Sequence, residues 1–149
     1  MIEKSYVMVK PEFANSKNVI KEVKKRLLQN GLEIEKEGYV KYDETSAKRH
    51  YEEHVGKGFY PELEEYITSD KAYGMVVVGD NAISKIRALV GATKNPSEGT
   101  LRYDIPKMLG LPLRVTQNVV HASDSEASAQ KEITIFEDIL YNNSLKTLE

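Results

Sequence analysis

The stretch YGMVVV, at residues 73–78, is a nearly continuous apolar run, and YVMV, at residues 6–9, is another. Short runs of this kind, rich in β-branched residues and bounded by polar ones, are typical of strands that are buried on both faces of a sheet. In residues 32–42, apolar residues at first alternate with glutamates and charge then dominates, which indicates a strand near the edge of the sheet. A last short strand is predicted to include residues 119–120.

Apolar residues recur at helical spacing between and after these strands. The three stripes are Ile20, Val23 and Leu27; Ile83, Ile86 and Val90; and, near the C-terminus, Ala129, Ile133, Phe136 and Leu140. Residues 46–55 and 61–69 are predicted to form two short helices. Residues 93–117 show no period, and a loop of this length is more often functional than idle.

The predicted order is therefore β-α-β-(short helices)-β-α-β with a closing helix. It predicts an α+β fold of the ferredoxin-like (βαββαβ) type, an antiparallel four-stranded sheet covered by helices, with a C-terminal closing helix. In that plan the first and third strands are central, which agrees with their being the most apolar. The chain has 149 residues, of which 40% are hydrophobic, and this is enough for one core, so residues 1–149 are predicted to form a single domain.

The composition excludes several classes of protein. A net charge of −2 argues against a dedicated nucleic-acid-binding surface, and the absence of cysteine excludes disulfides and a thiol nucleophile. The apolar runs are far shorter than the roughly 20 residues that span a bilayer, so no membrane association is expected. The first residues lack the charged-then-apolar plan of a secretory signal, and a cytoplasmic location is expected.

His121 stands in the stretch NVVHASDS, where a strand is predicted to pass into a helix. Ser123 and Glu126 have the spacing of a helix capping box, with Ser125 as a competing cap. A helix N-terminus attracts anions and disfavours a protonated imidazole beside it. A neutral imidazole there could accept a phosphoryl group, and Glu132 could hold its ring. Local spacing alone also permits an ordinary strand-end histidine beside a well-capped helix.

Phosphoryl transfer depends more on positioning and positive charge than on covalent help from the protein. The candidate cations are Lys10 at the end of the first strand, Arg87 on the second main helix and Arg102 in the long loop. Thr93 and Tyr51 could add hydroxyl donors. Each has an ordinary explanation when taken singly, and the sequence has no Walker loop or kinase glycine-rich loop that would hold ATP.

A rival constellation is HYEEH, at residues 50–54, which matches the H-x-x-E-H pattern of some zinc peptidases. That pattern is short and needs a third ligand on a large scaffold. Two exposed histidines on a helix are therefore the expected explanation of His50 and His54.

The stretch NVVHASDS, at residues 118–125, closely resembles the N-x-x-H-(G/A)-S-D-S signature of nucleoside diphosphate kinases. Other blocks resemble the same family in the same order, and they are VMVKP at 7–11, HYEEH with FYP at 50–54 and 59–61, IRALVGAT at 86–93 and GTLR at 99–102. Chance agreement of five blocks in the right order is very improbable.

The resemblance implies ping-pong transfer of the γ-phosphate from a nucleoside triphosphate to a nucleoside diphosphate, with Mg²⁺ and a phosphohistidine at His121. It implies that Glu132 and Ser123 orient the imidazole and that Lys10 belongs to the catalytic group. The implied substrate contacts are Arg87, Thr93, Arg102 and Tyr51 for the phosphates, Lys10 and Asn118 for the sugar, and Phe59 and Val115 for the base. Asp124 would touch the Mg²⁺ shell through water.

The sequence departs from the family at four places, two of which are Tyr103-Asp104 in place of the usual Gly-Asp after Arg102 and a shorter stretch from Thr93 to Arg102. Pro11-Glu12-Phe13 replaces the usual Pro-Asp-Gly, and the loop between Arg102 and Asn118 is longer than usual. The resemblance implies a homo-oligomer, with a hexamer favoured and a tetramer or dimer as alternatives, and in relatives this loop packs at the three-fold contact of hexamers. A catalytically weak relative that serves as a nucleotide-binding or protein-interaction module is the alternative function.

Overall fold

The computed structural model describes residues 1–112 and 118–148 of the chain. Within them, the strands are β1 (Ile2–Val9), β2 (Glu33–Val40), β3 (Ala72–Asp80) and β4 (Val120–Ala122). The helices are α1 (Pro11–Ala14), α2 (Lys17–Gln29), α3 (Glu44–His50), α4 (Tyr60–Thr68), α5 (Ala82–Val90), α6 (Leu101–Met108) and α7 (Glu126–Leu148), and a 3₁₀ turn (Glu52–His54) follows α3. The predicted order of strands, main helices and closing helix is confirmed.

The four strands form one sheet in the order β2-β3-β1-β4, and each neighbouring pair is antiparallel. The α+β, ferredoxin-like fold is therefore confirmed, with β1 and β3 in the centre and β2 at an edge. β4 lies at the other edge, beside the strand from which Lys10 emerges.

Alternate residues of the central strand β1 supply two separate cores. Val7 and Val9 lie in a core that α1, α2, α5 and α6 cover, whereas Tyr6 and Met8 lie in a core that α3, α4 and α7 cover. Side chains of a strand alternate between the two faces, so a strand covered on both faces is apolar at every position. This is the physical origin of the apolar run at residues 6–9.

Gly74 lets α7 approach the sheet closely. A Cβ atom at this position would lie 2.5 Å from the ring of Phe136 and 2.6 Å from the hydroxyl oxygen of Tyr6, so no larger residue fits without displacing them. The close contact fixes α7 on the sheet. Glu132 precedes Phe136 by one helical turn and is thereby held on the same side as the sheet.

The prediction that residues 93–117 have no regular structure is wrong for α6. Leu101 and Ile105, one turn apart on this helix, are both fully buried in the core beneath α5. Pro106 is the third buried residue of α6, and three positions are too few to produce a visible period; this proline also removes a backbone donor from the last turn. Arg102 therefore lies on a short helix and not in a loop.

Within residues 1–112 and 118–148, no helix is both long enough and apolar enough to cross a membrane. The helix α7 is 23 residues long. It carries Lys131, Glu132 and Glu137 along its middle turns, and these charges are incompatible with a hydrocarbon environment.

Candidate active site

His121 is placed by the pairing of β4 with β1. In this register His121 lies opposite Met8, so its side chain is on the face that α3 and α7 cover. The side chain keeps 21% of its surface exposed. The imidazole is thus fixed by the sheet on one side and reachable from solvent on the other.

A carboxylate and a hydroxyl hold the His121 ring. Nε2 of His121 lies 2.8 Å from Oε1 of Glu132, and the Ser123 hydroxyl donates to the same carboxylate oxygen at 2.7 Å. The Ser123 oxygen in turn accepts from the Tyr6 backbone N–H at 3.0 Å. A carboxylate at Nε2 favours the tautomer that carries its proton there, which leaves the lone pair on Nδ1.

The predicted capping role of Ser123 is wrong. Its hydroxyl is committed to Glu132 and Tyr6, and it is completely buried. Ser125 caps the helix instead, because its oxygen accepts from the Ser128 backbone N–H at 3.1 Å, and α7 begins at the next residue. The competing cap is therefore the one that the chain uses.

His50 is not the exposed helix histidine that the sequence suggests. It is only 5% exposed, and its ring centroid lies 4.7 Å from that of His121 and 4.6 Å from that of Tyr51. Within residues 1–112 and 118–148, neither of its ring nitrogens has a hydrogen-bond partner. Burial lowers the pKa of His50 well below its ordinary value, and the nearby His121 and Lys10 lower it further.

Sequence reasoning missed the burial of His50, because the contacts that bury it are visible only in the structure. Ala47, one turn earlier on α3, is fully buried, so the helical phase places His50 on the inward face. The H-x-x-E-H match does not form a two-histidine helical face, because α3 ends at His50 and His54 lies on the separate 3₁₀ turn. His54 instead faces Phe59, with ring centroids 5.4 Å apart.

The other side of the site begins at Lys10, where the chain leaves β1. Its Nζ donates to the side-chain oxygen of Asn118 at 2.7 Å, and its backbone N–H donates to the Val119 carbonyl at 2.8 Å. Both side chains are buried. Burial lowers the pKa of Lys10 to about 7, and the charge of Arg102 contributes to the shift.

The backbone between Asn118 and His121 is strained. Val119 has a φ of 78°, a left-handed conformation that is unfavourable for a β-branched residue. Its carbonyl accepts from the Lys10 N–H, and its side chain is fully buried in the core. Packing and hydrogen bonding thus stabilise a backbone conformation that is intrinsically unfavourable for Val119.

Arg102 is anchored on backbone carbonyls. Its guanidinium donates to the carbonyl of Gly91 at 2.9 Å and to that of Val120 at 2.9 Å, and it reaches the Thr93 hydroxyl at 3.4 Å. Burial lowers the pKa of Arg102 to about 10, and the charge of Arg87 adds to the effect. The contacts join the end of α5 to β4, next to His121.

Arg87 and Asp124 complete this cluster of charges. Arg87 is exposed on α5, and its positive charge helps to lower the pKa of Asp124, whose carboxylate is stabilised first by a hydrogen bond from Ser128.

The hydroxyl-bearing ring of Tyr51 is buried beside His50, and Phe59 is 52% exposed, with the Lys57 ammonium 5.9 Å from its centroid. Val115 lies outside the described residues.

The structure thus brings the sequence-predicted residues that it describes to one region. A partly exposed imidazole contacts a carboxylate, and two basic residues, Lys10 and Arg102, are hydrogen-bonded to residues 118–120 directly before it. Such an arrangement can bind a polyanion and present a nitrogen lone pair to it. Among the described residues, one group could also hold a metal ion, since ligand atoms of His50, His121 and Glu132 lie within 4.8 Å of one another.

Comparison with known proteins gives a consistent result. The sequence profile of the family "Nucleoside diphosphate kinase" matches residues 3–138. Nucleoside diphosphate kinases of Metallosphaera sedula and Methanobrevibacter smithii are 43% and 44% identical to the chain, over 90% and 91% of it and 92% and 87% of their own lengths. The solved structure of a halophilic nucleoside diphosphate kinase from Halobacterium salinarum in complex with CDP is 32% identical, with a TM-score of 0.82 over 91% of this chain and 88% of that one.

Proposed function

Because this chain belongs to the nucleoside diphosphate kinase family, a family of phosphotransferases, we propose that it transfers the γ-phosphate of a nucleoside triphosphate through His121. In the first half-reaction the Nδ1 lone pair attacks the γ-phosphorus, and the bond to the bridging oxygen breaks. The nucleoside diphosphate leaves with that electron pair. A second nucleoside diphosphate then attacks the phosphohistidine with a terminal phosphate oxygen, and the N–P bond breaks to regenerate the imidazole.

Glu132 and Ser123 are proposed to orient the ring. The carboxylate accepts a hydrogen bond from the Nε2–H group and stabilises the positive charge that the imidazole gains when Nδ1 forms a bond to phosphorus. Ser123 fixes the carboxylate in turn, since its hydroxyl donates to the same oxygen. The arrangement resembles the way in which a buried carboxylate holds a catalytic histidine in other enzymes.

Arg87 and Arg102 are proposed to hold the phosphates, with the hydroxyls of Thr93 and Tyr51 as further donors. Positive charge that is already fixed in place stabilises the charge that spreads over the transferred group. Arg102 suits this role because two backbone carbonyls hold its guanidinium beside β4 before any nucleotide arrives.

Mg²⁺ is the proposed metal ion, and the residues fit a weak protein contact with it. Asp124 is an exposed carboxylate with a lowered pKa, and it is therefore ionised at neutral pH. One carboxylate suits an ion that keeps its waters and is bound mainly by nucleotide phosphates. The ion would neutralise charge on the phosphates, and Asp124 would contact its water shell.

Lys10 and Asn118 are proposed to contact the sugar hydroxyls, and Phe59 to stack on the base, with Val115 opposite. The ring of Phe59 is half-exposed, so one face is available to a flat ligand. Every base has such a face, so low base selectivity follows. The Halobacterium salinarum relative was solved with CDP, which supports a nucleotide as the ligand of this chain.

The observation that carries the proposal is the contact of His121 with Glu132, whose carboxylate Ser123 holds in turn, beside the stretch of residues 118–120 to which Lys10 and Arg102 are hydrogen-bonded. The test is incubation with γ-labelled ATP and Mg²⁺ without an acceptor. We expect acid-labile, base-stable label on the wild type and none on His121→Ala, and we expect the label to move to an added nucleoside diphosphate. Unlabelled wild-type protein that still binds nucleotides would favour the alternative of a binding module.

Assembly into a homo-oligomer and a cytoplasmic location stay predictions of the resemblance. A hexamer is favoured, and the edge strand β2 offers unpaired backbone groups to a second copy. A mass measurement of the native particle distinguishes hexamer, tetramer and dimer.

A further inference from the structure

A second imidazole packs against His121, and the proposed transfer of phosphate does not use it. His50 is 5% exposed and meets His121 edge to face, with an angle of 66° between the ring planes. Neither ring nitrogen of His50 has a hydrogen-bond partner in the parts of the chain that the structure describes. Buried polar atoms without a partner are unusual and call for an explanation, such as an absent ion.

The surroundings of His50 provide a set of metal ligands. His50, His121 and Glu132 each offer one ligand atom, and the three atoms lie within 4.8 Å of one another. Two imidazoles and one glutamate are the protein ligands of several zinc enzymes. Ligands of a tetrahedral zinc ion with bonds of about 2.0–2.1 Å are about 3.3–3.4 Å apart, so small side-chain movements would close the site.

The ligand chemistry separates this site from that of Mg²⁺. Magnesium prefers oxygen ligands in octahedral geometry, whereas imidazole nitrogens favour zinc and other transition-metal ions. Of the three ligands, only Glu132 carries a negative charge, and the nearby positive charges of Lys10 and Lys131 disfavour further positive charge at His50. These charges weaken the binding of a cation, so a reversibly bound ion is expected here and not a permanent structural one.

We propose that His50, His121 and Glu132 bind a transition-metal ion, for which Zn²⁺ is the best fit, and that this ion blocks the uptake of phosphate by His121. Coordination engages both the imidazole that would accept phosphate and the carboxylate that aims it. The ring cannot serve the metal ion and the phosphorus together. The metal site stands on the geometry alone, whereas the block rests on the proposed function.

Metal binding is tested first, by calorimetric titration of Zn²⁺ into untagged protein, because a histidine tag would add imidazoles. We expect one ion per chain, and Co²⁺ in the same site should give visible absorption bands of tetrahedral type. His50→Gln and His121→Gln should each weaken Zn²⁺ binding by more than the roughly 10–100-fold that loss of an outer-shell partner costs. The matched control is His54→Gln, which removes the remaining histidine and should leave the affinity unchanged.

Equal Zn²⁺ affinity of the wild type, His50→Gln and His121→Gln would overturn the metal site. Should the buried variant His50→Gln fail to fold, the comparison of His121→Gln with His54→Gln decides the question alone. Circular dichroism of each variant identifies a folding defect.

The block is tested by label uptake from γ-labelled ATP in excess Mg²⁺, with free Zn²⁺ set by a chelator buffer. Zn²⁺ should lower the labelling of the wild type and of His54→Gln, and His50→Gln should need more Zn²⁺ for the same effect. Labelling that Zn²⁺ leaves unchanged would overturn the block and leave the proposed function intact. Two results together would support the metal site and overturn the proposed function. These are Zn²⁺ binding that depends on His50 and a wild-type protein that takes up no label even without Zn²⁺.

Discussion

The imidazole of His121 and the guanidinium of Arg102 lie beside the same short strand, yet they are held differently. Side chains hold His121, through Glu132 at 2.8 Å and Ser123 behind it. Backbone carbonyls of Gly91 and Val120 hold Arg102, each at 2.9 Å. A group that changes its charge during a reaction needs partners that respond to it, whereas a group that only supplies charge needs a fixed position. The two kinds of support match the roles that are proposed for His121 and Arg102.

The largest effect is expected from Arg102→Ala. The change removes a charge that is proposed to bind phosphate, and the loss of a comparable charge-stabilising donor costs about 10²–10³-fold in rate. It also leaves two backbone acceptors without their donor, which costs about 1–3 kcal/mol for each one that stays buried. Labelling kinetics and urea unfolding measure the two losses. Arg102→Lys, which keeps the charge and cannot bridge both carbonyls, should recover part of the rate and little of the stability.

If Arg102→Ala unfolds as readily as the wild type, the backbone anchoring contributes nothing to stability. The comparison between the two groups would then fail on the arginine side. If the rate falls and the stability does not, Arg102 contributes its charge to the reaction and its contacts with the backbone carbonyls do not stabilise the fold.

A smaller effect is expected from Glu132→Gln. The amide keeps the shape of the carboxylate and loses its charge, so the ring is less well stabilised when it takes up phosphate. Hydrogen bonds to charged groups contribute about 1.5–3 kcal/mol, which corresponds to labelling about 10–100-fold slower. Rapid-quench labelling measures the rate, and thermal unfolding should be nearly unchanged. An unchanged rate would remove Glu132 from the mechanism.

A further effect, on stability and not on the rate, is expected in the pH dependence of unfolding, through Lys10. Its pKa is about 7 in the folded protein and 10.5 ordinarily, so between these values the unfolded chain binds more protons than the folded one. The free energy of unfolding therefore gains a contribution that rises with pH across this window and is absent below it. Thermal unfolding from pH 6 to pH 10 should show this rise in the wild type and not in Lys10→Met.

The control for Lys10→Met is Lys21→Met, which removes an exposed lysine from α2. Phosphate transfer at neutral pH should slow in Lys10→Met, whereas stability should not fall, because a buried charge is removed. Parallel stability curves for Lys10→Met and the wild type would contradict the low pKa of Lys10.

The sequence predicted most of the fold because the central strands are covered on both faces. That coverage produces the apolar runs at 6–9 and 73–78, which are visible without any structure. The helix α6 could not be predicted in the same way, since only Leu101 and Ile105 of its residues show a helical repeat before Pro106. The period of so short an element is lost among the polar residues around it.

Local pattern and residue chemistry predicted His121, Glu132 and the candidate cations, whereas the roles of Asn118, Phe59 and Asp124 were predicted only through the family resemblance. Ser123 illustrates the limit, because it fits a capping box by spacing and is instead bound to Glu132 and Tyr6. His50 illustrates another, because a histidine at a helix end is usually exposed. Contacts between residues distant in the chain decided both cases, and local patterns do not contain them.

The position of β1 at the centre of the sheet has a consequence for the order of events during synthesis. Its partners are β3 and β4, and β4 is made long after β1 has emerged from the ribosome. The apolar strand β1 therefore stays unpaired until strands that are distant in sequence have been synthesised. Pairing of this kind slows folding, and an aggregation-prone segment is exposed until it is complete. Lys10 contacts Asn118 only once both have been synthesised, so a nascent chain cannot form this contact until more than 100 further residues have followed Lys10.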